Sequence, residues 1–281
     1  MLRQPLSTEL AAAIRTASKA GLGTVTPEVL HLGNHTTVRL RPWPVVARIA
    51  SGTSFDFSDG SMERELGIGA HLISRAAPSA RPATFVDPGP YIHGDCAISL
   101  WNFVDGRPVS SEADVRMAAT SLHAVHSALS DVDADLPSFI TKVESCEAIL
   151  ANPDQAQKLS AGDRLFLEKL YERLHGELRA IGGRWHPLHG DSHIGNVRVT
   201  GAGAIWLDLE AVCMGPTEWD VATLPEPIWC QFPGLNRELM RLFADVRGLC
   251  VAVWCWAEFG RSAATNEAAI YHLAKLKNQF S

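Results

Sequence analysis

The chain has 281 residues, of which 46% are hydrophobic and 20% are charged, and its formal net charge is −6. This composition is typical of a globular protein with a sizeable core, and the length favours two lobes or domains over one. Acidic and basic residues are interspersed along the chain, whereas neutralising nucleic-acid phosphates requires clustered Lys and Arg. The sequence therefore predicts no nucleic-acid partner.

The cysteines and the hydropathy of the chain indicate the cellular compartment in which the protein is expected. The six cysteines form no C-x-x-C pair and are too sparse for a disulfide framework, so we expect a reduced, cytoplasmic protein. The longest apolar run, LCVAVWCWA at 249–257, is too short to span a bilayer, and no membrane role is predicted. The sequence does not indicate an oligomeric state.

The predicted elements change character near residue 105. Before it, short strand-like runs are separated by Gly, Pro and Asn, with helices predicted at the N-terminus and in SMERELGIGAHLISRAA. After it, long amphipathic helices dominate and one strong hairpin, NVRVTGAGAIWLDL, interrupts them. We therefore predict an α+β fold with a small antiparallel-sheet N-terminal lobe at 1–104 and a larger, mostly helical C-terminal lobe at 105–281.

The hairpin predicts a metal site. If Gly201–Gly203 form a three-residue loop, strand pairing is symmetric about Ala202, and Asn196 lies directly opposite Asp208. Opposed residues of this kind have Cβ atoms about 4.5–5.5 Å apart and point to the same face of the sheet. Amide and carboxylate oxygens at that spacing suit a hard cation such as Mg²⁺.

The segment LHGDSHIGN, just before the hairpin, holds several groups suited to catalysis. Its carboxylate, Asp191, is a candidate to accept the proton of a substrate hydroxyl while Mg²⁺ neutralises the phosphate under attack. A different hypothesis places His189, Asp191 and His193 on one strand face, as the zinc ligands of a metal-dependent hydrolase. Pro187 and Gly190 suit a loop better than a strand interior, which favours the first interpretation.

These motifs together resemble one family. HGDSHIGN, followed by IWLDLE and GPTEWDVA, is similar to the signature of the aminoglycoside phosphotransferase family, a branch of the bilobal protein-kinase-like fold. The resemblance implies that Asp191 is the catalytic base and that Asn196 and Asp208 bind Mg²⁺. It also implies supporting roles for His189 within the loop, for Asp220 as the residue that holds the loop in place, and for Glu210 as a further acid near the metal.

The N-terminal lobe resembles the family more loosely. VVARIA looks like the strand that carries the phosphate-binding cation, here Arg48, and MERELGIGAHL looks like the helix that supplies its ion-pair partner, Glu65, with Glu63 as the alternative. LGNHTTVRL at 32–40 would cover the nucleotide. ISLWNFVDGRPV resembles the hinge between the lobes, and its backbone would hydrogen-bond adenine near these residues: Trp101, Phe103 and Val104.

The resemblance implies an ATP-dependent kinase that phosphorylates a hydroxyl of a small molecule, with ATP between the lobes. The sequence does not decide whether the acceptor is an aminoglycoside or another amine-bearing antibiotic or metabolite. It also does not decide whether the protein confers antibiotic resistance. Net acidity, together with Glu218 and Glu226, favours a cationic acceptor. An alternative to a kinase is a pseudokinase-like module that binds nucleotide without turnover.

Overall fold

The computed structural model describes residues 5–33, 35–51 and 60–280. The chain divides into two compact units, Met1–Ala134 with Ile194–Ala211, and Asp135–His193 with Val212–Ser281. The predicted nucleotide-covering loop includes Asn34, which lies outside the described residues. Across the described ranges, no helix combines the length and apolar character needed to cross a membrane.

The first unit contains a sheet, a hairpin and three helices among its described residues. The helices are α1 (Leu6–Lys19), α2 (Ser61–Ser74) and α3 (Glu112–Leu129). The sheet strands are β1 (Thr26–Leu32), β2 (Thr36–Arg41), β3 (Val45–Ser51), β4 (Tyr91–His93) and β5 (Cys96–Asn102). A short 3₁₀ turn, Ile194–Asn196, leads into the hairpin strands, which are β7 (Val197–Thr200) and β8 (Gly203–Trp206).

The five-stranded sheet is antiparallel throughout, in the order β1-β2-β3-β5-β4. Alternating residues of β2, β3 and β5 are fully buried and form a core with the small side chains of α1, among them Ala13, Val38 and Ile98. The other face of β3 carries Arg48, which pairs in the ladder with Ser99. The predicted α+β class with a small antiparallel sheet is confirmed.

Helix α3 begins with a capping box and supports the hairpin. The Ser111 hydroxyl accepts the N–H of Asp114, whose carboxylate accepts the N–H of Ser111 in return. Further along the helix, Ser121 accepts a 2.8 Å hydrogen bond from the buried indole N–H of Trp206 on β8. This contact explains why the hairpin groups with the first unit.

The β7–β8 hairpin turns through two residues and not three. Thr200 pairs with Gly203, so Gly201 and Ala202 form the loop. The Thr200 hydroxyl accepts the N–H of Ala202 at 3.1 Å and donates to the carbonyl of Gly203 at 2.9 Å, and Gly203 has a φ of 123°. This local hydrogen bonding closes the tighter turn, and the predicted pairing about Ala202 was wrong by one residue.

The second unit is mostly helical. Its helices are α4 (Phe139–Ala151), α5 (Ala161–Arg179), α6 (Thr217–Val221), α7 (Arg237–Ala257) and α8 (Ala263–Phe280), and its two short paired strands are β6 (His186–Leu188) and β9 (Cys213–Gly215). Phe139, Trp219 and Phe243 are buried with ring centroids 5.1–5.7 Å apart. These rings join α4, α6 and α7 into one packed core.

The compact units do not coincide with the predicted lobes. Residues 105–134 and 194–211 group with the N-terminal sheet, because α3 packs on the hairpin as described above. The division into lobes at 1–104 and 105–281 stays a prediction.

Candidate active site

Arg48 and Glu65 form a buried ion pair within the first unit. Arg48 on β3 is 8% exposed, Glu65 on α2 is 3% exposed, and Arg48 Nη1 donates to Glu65 Oε1. Glu63, the alternative partner, is exposed on the same helix. The sheet and the helix therefore bring together the two residues that the sequence suggested, and Glu65 is the partner.

Arg48 also reaches the end of the hairpin. Its Nη2 lies 2.7 Å from Asp208 Oδ1, 2.7 Å from Glu210 Oε2 and 3.1 Å from His35 Nδ1. Burial alone lowers the pKa of Arg48, but Asp208, Glu65 and Glu210 together raise it well above its ordinary value. Arg48 is thus a permanent cation that connects three carboxylates.

The pKa of Glu65 is also raised, because its surroundings disfavour the charged form of the carboxyl. Burial raises the pKa of Glu65, Arg48 lowers it, and the nearby carboxylates Asp208 and Glu210 raise it further, so that the pKa lies above its ordinary value. Glu65 therefore depends on Arg48 to stay ionised.

Asp208 lies just beyond β8 in a backbone conformation that non-glycine residues rarely adopt, with φ of 61°. Its side chain is 38% exposed. Because of the shifted register, Asn196 lies opposite Leu207, whose N–H donates to the Asn196 carbonyl at 2.8 Å. The predicted direct pairing of Asn196 with Asp208 was therefore wrong, although the two remain neighbours at the open end of one hairpin.

These two residues fit a hard divalent cation by their chemistry. Asp208 offers a partly exposed carboxylate and Asn196 a side-chain amide, and oxygens of both kinds bind Mg²⁺. The left-handed backbone of Asp208 is the kind of local strain that concentrates at functional sites. Within residues 5–33, 35–51 and 60–280, no group of three or more His, Cys, Asp or Glu side chains is arranged to hold a metal ion.

Asp220 fixes the loop that follows β6 in the second unit and carries Asp191, the candidate catalytic base. Asp220 on α6 is fully buried, and its two carboxylate oxygens accept the backbone N–H groups of His189 and Gly190, each at 2.9 Å. Ser192 donates to the backbone carbonyl of Asp220 at 2.8 Å. Gly190 has a φ of 79°, which a side chain disfavours. The loop that presents Asp191 is thus held at three points.

This geometry contradicts the arrangement expected for a zinc hydrolase. Strand β6 ends at Leu188, so His189, Asp191 and His193 follow it in a loop and do not alternate along a strand. His189 is fully buried, and its Nδ1 lies 3.4 Å from the backbone N–H nitrogen of Asp191. His189 is therefore placed as a structural member of the loop.

Asp191 has a cationic environment. Arg247 on α7 donates through Nη2 to Asp191 Oδ1, and His193 Nε2 lies 3.7 Å from Oδ2. Burial raises the pKa of Asp191, but Arg247, followed by His193, Lys142 and His189, lowers it to about 2. Asp191 is therefore ionised at neutral pH.

Arg247 is a site residue that the sequence analysis missed. It lies within ADVRGLCVAVWCWA, an apolar helical run, and is only 8% exposed. A lone Arg in such a run indicates a buried ion pair, because a buried guanidinium requires a partner. The partner itself, 56 positions away in the chain, has no local signature.

The structure shows the contacts of two residues in the predicted hinge. The Phe103 N–H donates to the Pro44 carbonyl at 2.8 Å, so this group is not available to adenine. Trp101 is buried beneath α2, where its indole N–H donates to Ser99 Oγ at 2.8 Å and its ring limits the space beside Gly69. The Trp101 side chain thus packs the first unit. Adenine binding by the backbone near Trp101, Phe103 and Val104 stays a prediction.

The sequence profile described as the phosphotransferase enzyme family matches residues 38–249, which is most of the chain. The chain therefore belongs to the phosphotransferase enzyme family. It is an enzyme that phosphorylates hydroxyl groups of small molecules. No curated protein sequence matches the chain.

Solved structures share its fold at low sequence identity. A microcompartment-associated aminopropanol kinase has a TM-score of 0.68 at 15% identity and covers 93% of this chain and 94% of its own. An amicoumacin kinase in complex with AMP-PNP, Ca²⁺ and Ami has a TM-score of 0.66 at 11% identity, with coverage of 98% and 97%. The choline kinase LicA of Streptococcus pneumoniae has a TM-score of 0.65 at 12% identity, with coverage of 96% and 98%. The fold is therefore that of the protein-kinase-like small-molecule kinases.

Proposed function

We propose that this phosphotransferase transfers the γ-phosphate of ATP to a hydroxyl of a small molecule, with Mg²⁺ as the metal. The observation that carries the proposal is the arrangement around Arg48. This cation is buried on a sheet strand, is paired with Glu65 on the next helix, and lies 2.7 Å from Asp208. Phosphoryl transfer requires such a charge on the phosphates and a carboxylate that binds the metal.

Arg48 has the charge and geometry to bind phosphate oxygens. Its guanidinium already contacts carboxylates at hydrogen-bond distance, and phosphate oxygens present the same acceptor geometry. Glu65 would keep the guanidinium oriented when Asp208 and Glu210 exchange partners on nucleotide binding. Glu210 would act beside the metal and not as its main ligand, because it also contacts His35 at 3.1 Å.

Asn196 and Asp208 would hold the metal through one amide and one carboxylate oxygen. When bound, Mg²⁺ supplies positive charge that neutralises the phosphoryl group during transfer. The partial exposure of Asp208 leaves its carboxylate accessible to a hydrated cation.

Asp191 would orient the acceptor hydroxyl and take its proton. The loop that carries it is held by Asp220, so the carboxylate has a defined position. Its ionised state at neutral pH allows it to accept a hydrogen bond from an alcohol.

We propose an amine-bearing alcohol as the acceptor class. This rests on the structural neighbours, whose names identify kinases of aminopropanol and choline. The acids noted in the sequence do not support this acceptor class, because Glu218 accepts the N–H of Asn236 and Glu226 lies 3.6 Å from Arg241.

The six cysteines are all free, which supports a cytoplasmic location as part of the same proposal.

The test is a phosphoryl-transfer assay with matched acceptors. ATP consumption and product formation, followed by ³¹P NMR, would be compared for aminopropanol and propanol, for choline and its uncharged carbon isostere, and for kanamycin. We expect Mg²⁺-dependent product with a higher kcat/KM for the amine-bearing member of each pair. Equal values within each pair would contradict the acceptor class. Nucleotide binding without product across a broad alcohol panel would instead support the pseudokinase alternative.

A further inference from the structure

Arg247 is a buried cation outside the motifs that define the site. It lies on α7, is 8% exposed, and pairs with Asp191, which is 56 positions earlier in the chain. Burying a guanidinium costs free energy unless its hydrogen bonds and charge are matched. Its Nη1 is buried and has no hydrogen-bond partner among the described residues. A cation held at such a cost calls for an explanation beyond fold stability.

Trp219 couples Arg247 to the loop that carries Asp191. The centre of the Arg247 guanidinium lies 4.9 Å from the Trp219 ring centroid, which is cation–π distance. The indole N–H of the same Trp219 donates to the Gly190 carbonyl at 3.2 Å. One fully buried ring thus supports both the guanidinium and the residue before Asp191, so both are fixed relative to each other.

The two oxygens of Asp191 have different surroundings. Oδ1 accepts a hydrogen bond from Nη2 of Arg247. Oδ2 lies 3.7 Å from His193 Nε2, and the His193 side chain is half exposed. The charged groups that face the carboxylate are Arg247 from α7, Lys142 from α4, and the two loop histidines. Arg247 fixes Oδ1, whereas Oδ2 is the oxygen that faces the half-exposed His193 side chain.

A carboxylate with a pKa of about 2 is a weak base. In phosphoryl transfer with a loose transition state, the acceptor must be oriented early and its proton can leave late. A weakly basic but rigidly placed carboxylate suits that order of events, because orientation does not depend on basicity.

We propose that Arg247 is a positioning residue, whose Nη2 holds Asp191 Oδ1 so that Oδ2 orients the acceptor hydroxyl. This rests on the phosphotransferase function proposed above. Arg247 acts through Asp191, and its own contact with substrate is not required.

The experiment compares Arg247→Met and Arg247→Lys with the wild type, using the acceptor found most active. We expect Arg247→Met to lower kcat by about 10²-fold, the scale expected for a misplaced catalytic group, with the KM for ATP unchanged. Arg247→Lys keeps the charge and should recover part of kcat. Without the cation, burial raises the pKa of Asp191, so the acid limb of the kcat–pH profile should move to higher pH in the Met variant. Arg247→Lys should show a smaller shift.

Two controls separate positioning from folding and from general charge. Arg241→Met removes an exposed cation from the same helix and should leave kcat unchanged. Lys142→Met removes a cation that lowers the pKa of Asp191 less than Arg247 does, and should lower kcat less than Arg247→Met. Urea denaturation checks that each variant is folded.

The outcomes are distinct. An unchanged kcat and acid limb in folded Arg247→Met, or equal losses for Lys142→Met and Arg247→Met, would overturn the positioning role while leaving the phosphotransferase function intact. A wild-type protein that phosphorylates no alcohol would overturn the proposed function, and the positioning role with it.

Discussion

Arg48 Nη2 donates a 2.7 Å hydrogen bond to Asp208 Oδ1, so the candidate phosphate-binding cation and the candidate metal ligand are in direct contact. A metal that binds Asp208 must compete with this guanidinium. Phosphate oxygens would give Arg48 a replacement partner, because they accept the same hydrogen bonds. We therefore expect metal and nucleotide to bind cooperatively, each weakly alone and both tightly together.

Asp208→Asn should abolish the cooperative part of this binding. At concentrations of ATP and Mg²⁺ about 100 times the dissociation constant, the wild type should gain about 2.7 kcal/mol of stability, measured by thermal denaturation. The Asn variant should gain almost nothing beyond what ATP alone gives, since its amide is a poorer metal ligand. Glu210→Gln is the matched control and should keep most of the gain. Full protection in Asp208→Asn would rule out the metal assignment.

Removal of Arg48 should leave Glu65 buried without the cation that keeps it ionised, and the carboxyl must then take up a proton or stay unpaired. We expect Arg48→Met to cost about 3–5 kcal/mol of unfolding free energy in urea. The double variant Arg48→Met/Glu65→Gln should be more stable than the single Arg48→Met variant, because it replaces the unpaired carboxyl with a neutral amide. If Arg48→Met were as stable as the wild type, the pair would not be the buried ion pair described here.

Asp220→Asn should loosen the loop that carries Asp191. The amide replaces one of the two oxygens that accept the N–H groups of His189 and Gly190, and one donor then faces another donor. We expect a loss of about 2–3 kcal/mol of stability and a lower kcat, with ATP–Mg²⁺ protection retained. Asp245→Asn on α7, whose amide oxygen can still accept the hydrogen bond from Gln279, serves as the control. Wild-type kcat in folded Asp220→Asn would show that the loop does not need this support.

Asp114 should contribute to stability in a pH-dependent way. The Arg107 guanidinium and the backbone N–H of Ser110 hold the pKa of its carboxyl well below its ordinary value. A carboxyl whose pKa is lower in the folded state stabilises the fold above its unfolded pKa, about 3.9, and this contribution is lost as pH falls through the lower folded value. Thermal denaturation between pH 7 and pH 3 should therefore show a weaker pH dependence for Asp114→Asn than for the wild type. The exposed Asp154→Asn should match the wild type, and an unchanged slope in Asp114→Asn would contradict the account.

The local parts of the site could be predicted from the sequence. The resemblance of VVARIA and MERELGIGAHL to a strand and a helix of the family led to Arg48 and Glu65, which the structure pairs. The resemblance of HGDSHIGN and GPTEWDVA to the family signature led to Asp191 and to Asp220 as the support of its loop. In each case short motifs carry the information, since local geometry follows from neighbouring residues.

Three features depended on contacts that a motif does not encode. The hairpin register was wrong by one residue, because a single threonine hydroxyl closes the turn at Gly201 and Ala202. The backbone near Trp101, Phe103 and Val104 was predicted to bind adenine, and the folded chain brings the Pro44 carbonyl to the N–H of Phe103. Arg247 was missed because its contact with Asp191 arises from helix packing across 56 positions of sequence.

The role of Asp191 is the central claim, and Asp191→Asn tests it most directly. The measurement is kcat for phosphoryl transfer to the best acceptor, with ATP–Mg²⁺ thermal protection recorded on the same protein. We predict a loss of at least about 10²-fold in kcat with protection retained, because the amide cannot accept the proton of the acceptor hydroxyl. A folded Asp191→Asn variant that transfers phosphate at the wild-type rate would contradict the account.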